Sequence, residues 1–209
     1  MRQREALLDQ KEVSVLWAIN GSLNWLAGQT RPDLAAQTSF SQQVFPGPTV
    51  HDLCEANHVI RRAKQFADLS IQFQPIEPSA LRLSCHADAA FANVGVHTQA
   101  AYILGFTHED LDRGHQVAWT PAVWKSYRLP RAVSSTLGAE AQAMSAASGT
   151  LEWTSLLLGE ALDGLFDVRR YEEILQLRPP VLVTDCKSLY DHLVAASSPT
   201  SVDDRRTSQ

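Results

Sequence analysis

Three carboxylates stand where one stretch of sequence gives way to another. Asp88 closes the strand-like run "LRLSCHAD". Glu140 follows "SSTLGA" in the first turn of a long amphipathic stretch, and Asp185 ends "VLVTD" where an apolar run meets a helical one. Taken singly, each has an ordinary reading. Asp185 suits a helix N-cap, Glu140 favours the positive end of its helix, and Asp88 suits a turn with "ANVG". Taken together they have a sharper one. Strand ends and helix starts converge on one edge of an open sheet, where sites are usually built. Three carboxylates there repel unless a cation sits between them. Oxygen-only ligands suit Mg²⁺ or Mn²⁺, and two such ions activate water and stabilise the leaving oxygen of a phosphodiester.

A second group is basic and aromatic. "WKSYRLPR" (124–131) offers Lys125, Arg128 and Arg131 to a nucleic-acid backbone, with Trp124 and Tyr127 as stacking surfaces. The same residues also read as a solvated edge strand with half-buried rings. The seven histidines show no ligand spacing. His86 is expected to face away from the site and to hold no metal. No G-x-G-x-x-G or Walker pattern is present, which argues against a nucleotide-cofactor fold.

The elements that must position these groups fall into two parts. In residues 12–28, Val15, Ile19, Leu23 and Leu26 recur at helical intervals, with Leu16 and Trp17 widening the stripe. "TRPDLAAQTSFSQQVF" starts a second helix with Pro near its first position, "PGP" at 46–48 ends it, and a third follows from Thr49. Val15, Ile19, Trp25 and Val59 are expected in a small core of their own. The pattern changes at "QPIEPSA" (74–80), a linker with two prolines. Three short β-like runs follow, "LRLSCHAD", "AAYILGF" and "VAWTPAVW". A helix over about 137–163 comes next, with Leu137, Ala141, Met144, Ala147, Leu151, Leu158 and Leu162 on one side. An apolar strand and a final helix close the order. The fold class expected is α/β, a mixed sheet with flanking helices, preceded by a small all-helical unit. The division falls at 1–75 and 76–209.

Composition narrows the classes. The chain has 209 residues and a net charge of −5. The first 75 residues carry seven Lys and Arg against seven Asp and Glu, so the excess acid lies wholly in the second part. An acidic domain is not an obvious phosphate binder unless the acid is clustered for metal ions. No run of about eighteen apolar residues points to a membrane span, and no apolar run of signal-peptide type follows the charged start. Cys54, Cys85 and Cys186 fit neither a disulfide framework nor a zinc spacing, so reduced intracellular thiols are expected.

At these residues the chain resembles a known family. From about residue 12 onward it is similar to the end of a copia-like LTR retrotransposon Pol polyprotein, where the reverse transcriptase joins its ribonuclease H domain. "NGSLNWLAGQTRPDLA" resembles the stretch after the polymerase palm. "ADAAFAN", "QAAYILG", "SSTLGAEAQAMSAASGTLEWTSLLL" and "PPVLVTDCKSLYD" resemble four ribonuclease H segments, in the family's order.

The resemblance implies a ribonuclease H-like fold and a thumb- or connection-like helical part over 1–75. It implies metal-dependent hydrolysis of the RNA strand of RNA–DNA hybrids during reverse transcription, with two Mg²⁺ or Mn²⁺ ions in the complete domain. Asp88, Glu140 and Asp185 take the places of catalytic and metal-binding carboxylates. The partners implied are the hybrid and the upstream reverse transcriptase palm, without a membrane. The setting implied is intracellular: cytoplasm, virus-like particle or nucleus. Ala87 and Gly138 depart from the family's Ser and Glu, and Lys187 follows Asp185 closely enough to dampen ion affinity or bind a phosphate. The fourth acidic ligand belongs after a basic segment. Here "SVDDRRTSQ" ends the chain, and Asp203 and Asp204 precede Arg205 and Arg206, the wrong side for that ligand. The expectation is therefore a stretch cut at both ends, weakly active if at all and helped by Mn²⁺. The alternative is an inactive or domesticated remnant that binds nucleic acid or protein.

Overall fold

Capping fixes where the first helices begin. The computed structural model describes residues 3–94 and 97–197. In it α1 (Gln10–Gln29) starts at Asp9, whose carboxylate accepts the Glu12 N–H while Glu12 returns the bond to the Asp9 N–H, both at 2.9 Å. Thr49 and Asp52 form the same reciprocal pair at the start of α3 (Val50–Gln65). Between them, Pro32–Leu34 makes a 3-10 turn that leads into α2 (Ala35–Gln42).

The core of this unit is Leu23, Ala27, Leu34 and Val59, with Ile19 half-buried beside it. Val15 and Trp25 are not in it: they are 52% and 69% exposed. The buried stripe of α1 is Leu16, Asn20, Leu23 and Ala27, turned about one residue from the expected one. A polar Asn can occupy that stripe because Asn20 donates to the Ser41 carbonyl at 2.9 Å and accepts from the Ser41 hydroxyl at 2.6 Å.

The second part is a four-stranded mixed sheet in the order β3-β2-β1-β4. β1 (Leu81–Val94), β2 (His97–His108) and β3 (Trp119–Arg128) pair antiparallel, while β4 (Val181–Val183) runs parallel to β1 at the edge. α4 (Thr136–Asp163) crosses one face, placing Met144, Ala147 and Leu151 against Leu83, Cys85, Ala87 and Leu104. Ala139 and Ala143 meet Ala100 and Leu129 farther along. The small side chains at 139, 143 and 147 let the helix lie close to the sheet. That rotates the buried stripe, so Ala141 and Leu162, expected inward, are exposed. α5 (Tyr171–Leu177) and α6 (Lys187–Ser197) complete the order.

The helical unit lies against the other face of the sheet. Trp124 Nε1–H donates to the Ala27 carbonyl at 2.6 Å, and Gln99 bonds Ser39 and Gln43 at 2.8 Å each. The segment joining the parts is also held, since the Thr120 hydroxyl donates to the Gln72 carbonyl. On that same face Trp119 lies over Gly105 and bonds the Ser84 hydroxyl at 2.7 Å. A Cβ at 105 would stand 2.5 Å from the Trp119 ring and the Thr120 carbonyl, so only glycine fits. All three cysteines are free, and burial pushes the Cys85 thiol up to about 11. Among the described residues no helix is long and apolar enough to cross a membrane. Asp203, Asp204, Arg205 and Arg206 lie outside the described residues.

Candidate metal centre

The three carboxylates come from three elements and meet at one place. Asp88, Glu140 and Asp185 each offer an oxygen, and these oxygens all lie within 4.8 Å of one another. The elements carry them differently from the sequence expectation. Asp88 does not end its strand. β1 continues to Val94, and Asp88 pairs with Ala101 inside the ladder. What ends nearby is β4, whose last pairing is His86 with Val183. Among the described residues no strand pairs with β1 on its β4 side beyond that point, which is where Asp185 follows the end of β4.

Glu140 is the fifth residue of α4 and so lies beyond its first turn; Ser135 caps the helix by accepting the Gly138 N–H at 3.1 Å. Asp185 does not stand next to α6, because Cys186 intervenes. Neither residue is therefore spent on the local role that offered its ordinary reading.

Electrostatics single out Glu140. Its carboxyl is raised above the usual range chiefly by burial, then by the charge of Asp88, with Asp185 adding to it. The Ala89 backbone N–H pulls the other way by bonding the carboxylate, while a hydrogen bond with Asp88 favours the proton. Like charges gathered in this way leave a deficit that a cation removes. The donor set is all oxygen, which fits a hard divalent ion such as Mg²⁺ or Mn²⁺ and does not identify which.

Asp88 and Asp185 open onto a cleft of about 470 Å³ between the sheet and the start of α2, which Glu140 does not line. Ala101, Ile103, Trp124 and Val183 line it from the sheet side, Pro32, Ala35 and Ala36 from the helical unit. His86 also lines it, contrary to the expectation that it faces away. Side chains two apart on a strand share a face, so His86 and Asp88 go together. The α2 wall was not foreseen as part of a site, because nothing in "DLAA" carries chemistry.

Lys125, Arg128 and Arg131 are all exposed. Among the described residues none of them forms an ion pair. β3 is an edge strand, and the register Asp88–Ala101–Ser126 sets it two strands from the carboxylates, or about 10 Å. The rings between them are not free to stack outward. Trp124 is bonded to the helical unit, and Tyr127 packs edge-on to Tyr102 with its hydroxyl buried and without a partner. The half-buried edge strand is thus the arrangement adopted. The Lys125 ammonium lies 5.0 Å above the Tyr127 ring. Lys187 turns from the carboxylates to bond Asp191 at 2.6 Å.

Compared with protein-family models and with curated proteins, the chain finds no significant match.

Proposed function

We propose that the chain is the reverse transcriptase–ribonuclease H junction of a copia-like retrotransposon polyprotein, and that its sheet domain hydrolyses the RNA strand of RNA–DNA hybrids with divalent metal. The observation that carries this reading is the meeting of Asp88, Glu140 and Asp185 from a central strand, a crossing helix and the end of a parallel strand. A mixed sheet with helices on its faces is compatible with a ribonuclease H-like fold. In this reading Asp88, Glu140 and Asp185 hold the metal, which when bound acts as a Lewis acid and makes water a usable nucleophile near neutral pH.

The chain's own part is positional. The α4 backbone carries Glu140 to the cluster, and the β1 ladder fixes Asp88. Lys125, Arg128 and Arg131 would meet phosphates of the duplex, recognising its A-like shape more than its bases. The exposed Val15 and Trp25 on α1 form a surface suited to the upstream palm.

The test is a labelled-hybrid assay on the intact chain. Cleavage of the RNA strand alone is expected, stronger with Mn²⁺ than with Mg²⁺. Asp88→Asn should reduce it by at least about a hundredfold, equivalent to two steps of 1.36 kcal/mol each. Cleavage that survives Asp88→Asn would overturn the assignment.

A further inference from the structure

We propose that the outer face of α3 is a second metal site of different chemistry, in which His51, Cys54, Glu55 and His58 take a single Zn²⁺ ion. It stands apart from the three carboxylates and does not depend on the reading given to them. Along the chain these residues follow no paired-cysteine zinc pattern, which is why none was expected. The helix supplies the pattern instead. Counted from His51, the others lie three, four and seven positions on, so all four share one face of α3. The helix buries Ala56 and Val59 and leaves these four residues exposed.

Glu55 is the centre of the group. Its Oε1 lies 3.4 Å from the His58 Nδ1 and 3.9 Å from the His51 Nδ1. Both imidazoles therefore lean toward one oxygen, from the turn before it and the turn after. These distances exceed those of ordinary hydrogen bonds. Among the described residues no side-chain hydrogen bond engages any of the four. Cys54 adds a free, exposed thiol to the same face. The charges nearby are used elsewhere: Asp52 caps the helix with Thr49, and Arg62 turns to Asp33 at 3.8 Å and to the Phe66 ring. Among the described residues no Lys or Arg pairs with Glu55.

The donor set decides the ion. Two imidazoles, a thiol and a carboxylate offer nitrogen, sulfur and oxygen, a mixture that suits four-coordinate Zn²⁺ and not Mg²⁺. Glu55 and His58 also have the Glu-x-x-His spacing with which helices present metal ligands in bundle proteins. Among the described residues only the Asp88 cluster already brings three ligand atoms within 4.8 Å of one another. At α3 the ion would order exposed side chains as it binds, and that ordering costs entropy. Cys54 binds as the thiolate, its proton passing to solvent.

Calorimetric titration of Zn²⁺ into the untagged chain, with Mg²⁺ in excess to occupy the carboxylates, tests the site. One Zn²⁺ per chain is expected. His51→Gln and His58→Gln should each weaken it at least about tenfold, as much as the loss of an outer-shell partner costs at a metal. Asp185→Asn should leave it unchanged. With Co²⁺ as the probe, a thiolate-to-metal charge-transfer band should appear, vanish in Cys54→Ser and persist in Cys186→Ser. All four residues are exposed, so the metal-free variants should melt as the unaltered chain does. Zn²⁺ should raise the melting temperature of the unaltered chain and not that of His58→Gln. Zn²⁺ binding that survives His58→Gln and is lost in Asp185→Asn would place the ion at the carboxylates and overturn the proposal. A chain that takes up no Zn²⁺, or that binds Co²⁺ without a thiolate band, would overturn it equally.

Discussion

Arg31 with Asp33, and Asp88 with Glu140 and Asp185, are two charged constellations opposite in design. Arg31 is 4% exposed. Its guanidinium bonds both Asp33 oxygens at 2.8 and 2.9 Å and the Ala63 carbonyl at 3.2 Å. Every charge there has its counter-charge within the fold. The Arg31 guanidinium accordingly holds the Asp33 carboxyl below its ordinary range, whereas burial and two like charges lift Glu140 above its own. Buried charge that is internally paired fastens the α1–α2 corner to α3. Charge of one sign, drawn together from distant elements and left half-open, is a place for something from outside.

The largest effect should come from breaking the paired side. Arg31→Ala leaves the partly buried Asp33 with only the more distant Arg62, at 3.8 Å, and a loss of about 3 kcal/mol is expected in denaturant unfolding. Arg31→Lys should recover little, because a point charge cannot make the fork of two bonds. An effect below about 1 kcal/mol for Arg31→Ala would place this pair with ordinary surface bridges.

Next in size is the effect of supplying the missing cation. Mg²⁺ or Mn²⁺ at a hundred times its dissociation constant should stabilise the chain by about 2.7 kcal/mol. Asp88→Asn or Asp185→Asn should abolish that gain in thermal melts, and Arg31→Ala should leave it intact.

Smaller, and opposite in sign between the two clusters, are the effects of pH without metal. Folded Glu140 keeps its proton to higher pH than unfolded Glu140. Its contribution is therefore full below the ordinary value of 4.5 and is lost as pH rises toward the folded value. Asp33 runs the other way: its contribution is present above 3.8 and is lost as pH falls through its depressed folded value. Glu140→Gln should thus stabilise the metal-free chain at neutral pH, by less than about 1 kcal/mol because the site is open to water. The same variant should lose the response to Mg²⁺. Destabilisation by Glu140→Gln at neutral pH would show that the three carboxylates do not repel.

The smallest effect belongs to Lys187. Its pair with Asp191 is exposed, so Lys187→Ala should change both stability and Mg²⁺ affinity little, within about 0.5 kcal/mol. A clear rise in Mg²⁺ affinity would mean that the ammonium reaches the site after all.

Much of this arrangement was legible beforehand, and unevenly so. The three helices before residue 66, the long helix and the order of strands follow from periodicity and from Gly and Pro. The carboxylates were legible because each was read at a junction between two kinds of sequence, although Asp88 in fact lies inside its strand. What periodicity could not reveal was which of two adjacent stripes a helix buries. Leu16, at the margin of the expected stripe, is buried, while Val15 and Trp25 are displaced by Asn20 through its bonds to Ser41, a tertiary event. Strand lengths were underestimated because "ANV" and "HTQ" read as turn and loop, yet their backbones continue the ladder. The cleft wall at Ala35 and Ala36 was invisible for a simpler reason: alanine makes a wall only by what it is placed opposite.

β4 gives the centre a history as well as a shape. Three residues pair with β1 from almost a hundred positions away in the chain, Ser84 with Val181 being the first. Contacts so distant form late, because closing the intervening loop costs entropy before any pairing compensates for it. So short a strand also opens readily by itself, without the rest of the sheet. Asp185 is thus the carboxylate that arrives last and departs first. In hydrogen exchange the amides of 181–183 should open well before those of β1 and β2, and a divalent ion should slow them most. An ion at this site would be a clasp on the final step of assembly, protecting the seam where the sheet is held by the fewest bonds.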